Sequence, residues 1–320
     1  MADTDHNSAQ PKMNNAHYPG LFQGADAASA SAQKVYFLLQ RGYLGSLVLG
    51  SVIGASTALM PDTSRTWLYA ASAVVLAVGL LILWIGRSRQ DDKAWFDCRA
   101  IAESVKTITW RFMMRVPPFE SNDRAEERFV ASLREIRQAR PGAEAHLVGA
   151  PGADACPLTD FMRNTRSLPL DKRKEFYIGD RLRSQKSWYS RKASASACSG
   201  ARWFWTTASF QALAVTVAII QAAAGGLGFN AVPILTTCAA AVAAWNQMKR
   251  HDELKKAYAL ASQELVELEA IAGGVSTDSD FSQLVEQVEE AVSREHTMWC
   301  ARRDVSLRRT GGGSPQRATQ

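Results

Sequence analysis

Charge is missing from long stretches of this chain. Residues 203–248 (WFWTTASFQALAVTVAIIQAAAGGLGFNAVPILTTCAAAVAAWNQM) contain no Asp, Glu, Lys, Arg or His, and residues 42–61 and 66–86 are equally bare. Each shorter run approaches the roughly 20 apolar residues that cross about 30 Å of hydrocarbon at about 1.5 Å per residue. The longest has room for two crossings, so an ordinary soluble domain is excluded. Residues 1–33 lack both the basic start and the apolar stretch of a secretory leader, and read as a disordered polar arm. The five cysteines, Cys98, Cys156, Cys198, Cys238 and Cys300, include no C-x-x-C pair, which argues against a disulfide framework or a zinc site and for reduced thiols facing the cytosol. The phosphate-binding, dinucleotide-binding, nucleophile-elbow and zinc-protease motifs are missing too, so no enzyme chemistry, cofactor or metal is expected. With no ionisable side chain inside any apolar run, an ion-coupled transporter is disfavoured.

The charges that are present are unevenly placed. Of 37 Lys and Arg and 31 Asp and Glu, 23 basic and 15 acidic residues lie in 87–202, whereas the turns within the apolar pairs are nearly uncharged. The positive-inside rule then puts both termini and the middle segment in the cytoplasm of an inner-membrane protein. The expected fold is all-α: two transmembrane hairpins with spans at about 43–60, 66–86, 203–224 and 229–247, plus a cytoplasmic helical bundle. A first two-span unit at 34–140 is followed by a Pro- and Gly-rich linker at 141–157, a second unit at 158–308 and a disordered tail at 309–320. The basic run Lys172, Arg173, Lys174 is flanked by Asp171 and Glu175, which suits a solvated mixed-charge helix better than a nucleic-acid site.

Outside the spans the apolar periodicity is helical. Leu254, Tyr258, Ala261, Leu265, Leu268 and Ala272 form one stripe that Gly273 and Gly274 end, and Phe281, Leu284, Val288, Ala291 and Met298 form a second, with Glu295 in register. From Asp171, after Pro169, no strong helix breaker occurs before Gly225, so about 54 residues can run as one helix or two, nearly 80 Å at 1.5 Å per residue, with weak points at Gly179 and Gly200.

Within the spans, Ser46, Gly50, Gly54 and Ala58 step by four and make a small-residue ridge for close helix contact, either with the second span or with another subunit. Thr207, Gln211, Ala214, Ala218 and Gln221 make a polar stripe on the third span, and Asn230, Pro233, Thr237, Ala240, Ala244 and Gln247 one on the fourth. Amides cannot face lipid unpaired, so these stripes either line a water-filled path or bond between helices in a dry bundle.

Three stretches resemble a known family: AWFDCRAIAESVKTITWRFMMRVPPF at 94–119, LTDFMRNTRSLPLDKRKEFYIGDRLRSQKSWYSRKA at 158–193, and WNQMKRHDELKKAYALASQEL at 245–265. They are similar to DUF4231 proteins of the SLATT superfamily, two-transmembrane effector domains associated with bacterial nucleotide-signalling defence, here in tandem over about residues 33–305. The resemblance implies an antiviral effector that oligomerises, permeabilises the membrane and kills or arrests the cell when a linked sensor fires. It carries no catalytic residues. The implied partners are the lipid bilayer, other copies of the chain, and a nucleotide signal or cytoplasmic sensor protein. Trp95, Arg99, Trp110 and Arg111, near one helix face with Glu103 and Lys106 and aided by Arg163 and Arg166, are the candidate signal-binding set, packing and ion pairing being the alternative. Competing readings of the whole protein are a membrane-anchored scaffold without a pore, and a constitutive small-ion channel.

Overall fold

The computed structural model describes residues 12–152, 154–224 and 229–293, and among these the secondary structure is helical throughout. Helices α1 (Gly20–Ser56) and α2 (Asp62–Arg89) are followed by α3 (Asp91–Met114), α4 (Ala125–Gln138), α5 (Asp160–Ser167) and α6 (Leu170–Phe176). A π-helical stretch, Tyr177–Arg183, continues into α7 (Ser184–Ala223), which is followed by α8 (Val232–Lys249), α9 (His251–Ala272) and α10 (278–293). The uninterrupted helical run Leu170–Ala223 is 54 residues long, and its one departure from α geometry begins two residues before Gly179.

These helices form two compact units that cut across the order of the sequence. Among the described residues, a polar unit comprises 12–30, 93–190 and 258–293, and an apolar unit comprises 31–92 and 191–257. The expected division into an N-terminal and a C-terminal half describes the sequence; each compact unit draws on both halves.

The main core of the polar unit is built around Trp110, Phe112, Phe119, Phe129, Tyr177, Leu265 and Phe281. Here the expectation of a disordered arm over 1–33 needs correction. Residues 1–11 lie outside the described residues, but α1 begins at Gly20, and Tyr18, Phe22 and Ala25 are buried in this core. The spacing of these three residues is helical, yet the Ala, Ser and Gly between them dilute the apolar signal. The segment 141–157 is likewise not a free tether: Pro141–Ala143 and Glu144–Leu147 form helical turns that bury Ala143 and Leu147. Gly20 packs so closely on this segment that a Cβ there would fall 2.3 Å from the Ala155 carbonyl oxygen. In the C-terminal stripe Phe281, Leu284, Val288 and Ala291 are buried, whereas Glu295, Met298 and the tail at 309–320 lie outside the described residues.

Three helical runs, Gly20–Leu59, Asp62–Met114 and Leu170–Ala223, are long and apolar enough to cross a membrane. The expected fourth span, α8, has 18 residues, about 27 Å of helix, but closes on polar Asn246, Gln247 and Lys249 and so falls short on hydropathy. In the apolar unit α1 and α2 pack antiparallel, and the small-residue ridge is the seam. Gly42 meets Ile82, Ser46 meets Gly79, Gly50 meets Leu76, and the Ser72 hydroxyl donates to the Gly50 carbonyl at 3.1 Å. The second span is therefore the ridge's partner within the chain, while Ala58 lies exposed in the turn Thr57–Leu59. Arg65 closes that turn, donating from Nε to the Thr57 and Met60 carbonyls at 3.2 Å each.

Gly79 sets the interhelix distance. A Cβ at this position would lie 2.2 Å from the Ser46 Oγ, which is itself fixed by donation to the Tyr43 carbonyl at 2.7 Å. Gly79→Val is expected to destabilise the hairpin by about 1–3 kcal/mol. Gly45→Ala, where a Cβ meets nothing within 4 Å, leaves stability unchanged. Thermal unfolding of the detergent-solubilised protein separates the two.

Candidate functional site

Two sets of residues bear on function: the polar side chains of the apolar unit, and a buried charged network in the polar unit.

In the apolar unit the polar side chains are mostly closed onto their own helices. Thr207 donates to the Trp203 carbonyl at 3.0 Å and Thr237 to the Pro233 carbonyl at 2.7 Å, the four-residue back-bonding that hydroxyls use inside helices. Gln221 donates from Nε2 to the Phe229 carbonyl at 3.0 Å between α7 and the approach to α8, and the Asn230 Oδ1 accepts from the Val232 N–H at 3.0 Å just before α8. Gln211 differs. Its amide lies exposed in the middle of the charge-free part of α7 and makes no hydrogen bond among the described residues. The two stripes also do not face one another. On α7 the stripe residue Ala214 is buried, but α8 buries Ala239, one position off its stripe, and leaves Asn230, Pro233, Ala240 and Gln247 exposed.

The polar unit holds a carboxylate, Glu289 of α10, with no solvent exposure. Arg181, in the π-helical stretch, grips it with both prongs: Nε donates to Oε1 at 2.8 Å and Nη2 to Oε2 at 2.6 Å. The Tyr177 hydroxyl donates to Oε1 at 3.0 Å and the Thr107 hydroxyl to Oε2 at 2.9 Å. All four partners of one carboxylate are thus protein groups, the condition under which a buried ion pair is tolerated. Burial holds the Tyr177 phenol well above its ordinary range, and the nearby Glu289 charge adds to that shift. Beside this network the Trp110 indole N–H donates to the Tyr18 hydroxyl at 3.0 Å, and burial pushes Tyr18 up to about 12. Glu103 lies close by, paired with Arg99 at 2.5 Å and Lys106 at 3.1 Å. Burial works to raise it, but the Lys106 and Arg99 charges outweigh that and hold it at about 2.

A second cluster ends α3. Arg166 is buried without a carboxylate and donates to the Phe112 carbonyl at 2.6 Å, the Phe119 carbonyl at 2.7 Å, and Ser121 and Asn122 beyond. Arg173 donates to the Met114 carbonyl at 2.7 Å and to Asp278 at 2.8 Å. Two guanidinium groups therefore satisfy the last carbonyls of α3 at the negative end of its dipole. Burial, then the neighbouring Arg115 and Arg173, push Arg166 down to about 10.

These contacts redistribute the candidate signal-binding set. Trp110 is 1% exposed and Arg166 is committed to backbone carbonyls, so neither presents a face for stacking or phosphate pairing. Arg99 is held by Asp26 and Glu103, Arg163 by Glu126 at 2.9 Å, and the half-buried Trp95 accepts from the Ser29 hydroxyl through its carbonyl. Arg111 Nε is buried with no hydrogen-bond partner among the described residues. Of the packing residues expected on α9, Leu265 is fully buried, Leu268 and Tyr258 pack against the core, and Tyr258 meets Trp188 edge to face and Tyr189 at a tilt, with ring centres 5.5 and 5.9 Å away. Leu254, four residues earlier on α9, is half-buried in the apolar unit.

Comparison with protein families finds two matches, one after the other along the chain. Residues 19–174 match the SMODS and SLOG-associating 2TM effector domain 3, and residues 177–299 match the SMODS and SLOG-associating 2TM effector domain 1. The chain belongs to the SLATT superfamily of two-transmembrane effector domains, in tandem. No curated protein and no solved structure matches it. The matched segments begin at residue 19, one residue before α1, and meet at the π-helical stretch. The SLATT match and the apolar helices make this a membrane protein and an effector of a defence system.

Two predictions arise from the charged network. Glu289→Leu leaves Arg181 buried and unpaired and is expected to cost about 3–5 kcal/mol, whereas Arg181→Met combined with Glu289→Leu recovers more than half of that loss; denaturant unfolding of the solubilised protein measures both. Glu103 has a depressed folded pKa, so its contribution is fully present above its ordinary value of 4.5 and is lost as pH falls from there toward about 2. Melting temperature should fall over that window in the wild type, with a shallower slope in Glu103→Gln.

Proposed function

We propose that the protein is a triggered effector of the bacterial inner membrane, with four spans and both termini in the cytoplasm, which oligomerises and permeabilises the bilayer without enzymatic chemistry. The topology rests on the concentration of basic residues outside the apolar runs, and α8 serves as the fourth span through its pairing with α7 at Gln221 and Phe229.

Gln211 carries the assembly step. An amide without a partner is strongly disfavoured in hydrocarbon, and within one chain this one has none among the described residues. The exposed stripe of α8 points the same way, since one chain does not bring the two polar stripes together. A second copy supplies the missing surface, and the path then runs between subunits, shaped by Gln211, Asn230 and the ends capped by Gln221. The trigger acts on the polar unit through a sensor protein or a small anionic signal.

One set of observations favours the scaffold reading. The Thr207 and Thr237 hydroxyls and the Gln221 amide are satisfied within the α7 and α8 hairpin, as dry packing requires. Membrane potential and dye uptake in bacteria during controlled expression distinguish the two readings. The effector reading expects depolarisation by the wild type and none by a Gln211→Leu, Gln221→Leu variant that inserts equally. Equal leak from both would remove the path assignment, and full function after exchange of the spans for unrelated apolar hairpins would establish the scaffold.

A further inference from the structure

Along the α1 surface of the apolar unit runs a groove of about 660 Å³, with Leu44, Val48 and Val52 on one wall and Trp203, Ala241 and Val242 on the other. Its lining is apolar except at one end. There Arg41 lies with its guanidinium carbon 5.0 Å from the Trp245 ring centre, and Lys249 Nζ lies 5.0 Å from the same ring and 3.3 Å from that of Phe37. Two cations thus share one indole, and neither has an acidic partner within ion-pair distance among the described residues. Like charges gathered on an aromatic support without a counter-charge call for an anion.

The geometry points to an anionic phospholipid as that anion, its phosphate between Arg41 and Lys249 and one acyl chain in the groove. Three features select a lipid over a soluble anion. From Arg41 to Val52 the groove follows α1 for about 16 Å at 1.5 Å per residue, close to the depth of one leaflet of a hydrocarbon core about 30 Å thick. The volume is in the range of built ligand sites, and its walls offer an acyl chain apolar contact throughout. The cations and the tryptophans Trp203 and Trp245 lie at the end of the charge-free runs, at the level where basic and aromatic residues meet headgroups. Isolated snorkelling arginines need no groove; here charge and groove coincide.

The test is native mass spectrometry of the full-length protein in detergent, incubated with equal amounts of phosphatidylglycerol and phosphatidylcholine carrying the same acyl chains. The wild type should retain one phosphatidylglycerol in about ten-fold or greater preference. Arg41→Ala with Lys249→Ala should lose that preference, Arg41→Lys with Lys249→Arg should keep it, and Val48→Trp should lower occupancy by filling the groove while leaving both cations in place. Far-ultraviolet circular dichroism checks that each variant is folded. Preference unchanged in the alanine pair, or phosphatidylglycerol displaced by millimolar inorganic phosphate and insensitive to Val48→Trp, would overturn the lipid assignment. So would cross-linking of a Leu49→Cys variant to a second copy in place of lipid retention, which would make the groove a subunit contact.

Discussion

A carboxylate sealed from water must be fully bonded or the fold around it fails, and Glu289 imposes that constraint on the polar unit. It draws α10 against the π-helical stretch through Arg181 and Tyr177, and against α3 through Thr107. Thr107 belongs to the first matched effector domain; Tyr177, Arg181 and Glu289 belong to the second. One acid therefore joins the two halves of the sequence into a single core. Around it Trp110 is fixed by Tyr18, which explains why the N-terminal segment is ordered from before α1 onward. The tandem arrangement is thus an interlocked core and not two beads on a string.

The apolar unit obeys a different constraint. Within its charge-free runs α1 and α2 are held by close approach: Gly79 against Ser46, Gly50 beneath Leu76, a serine hydroxyl on a backbone carbonyl. Such contacts fix a hairpin but leave most of the remaining helix surface open, with Trp67, Leu80 and Trp84 more than 60% exposed. In a bilayer that surface is covered by lipid or by other copies.

Much of this was legible in the sequence because it is periodic. The apolar stripes through Leu265 and Phe281, the small-residue ridge, and the long helix with its weak point at Gly179 are all local patterns. The ordered N-terminus was not legible, since Tyr18 and Phe22 stand among alanines and serines whose helical fate depends on a core 80 residues away. Nor was the charged network, because Arg181 and Glu289 are distant and look like ordinary surface charges. One physical signal was there: Val285, Val288, Glu289 and Val292 fall on one face of α10, and a lone acid on an otherwise apolar face requires a buried partner. The candidate signal-binding set failed at Trp110 and Arg166 for a related reason. Aromatic and basic residues at helical spacing serve equally well to close a core and to cap a helix end.

The order of residues in the polar unit also sets a timetable. Arg181 precedes Glu289 by 108 residues, and all of α7, α8 and α9 lie between them. At about 5–20 residues per second of synthesis, the arginine waits about 5–20 s for its counter-charge. By then every apolar helix has left the ribosome. The core that joins the two effector domains therefore closes last, after the apolar helices have been made, and a chain interrupted before that point carries an open, charged polar unit instead of a finished one.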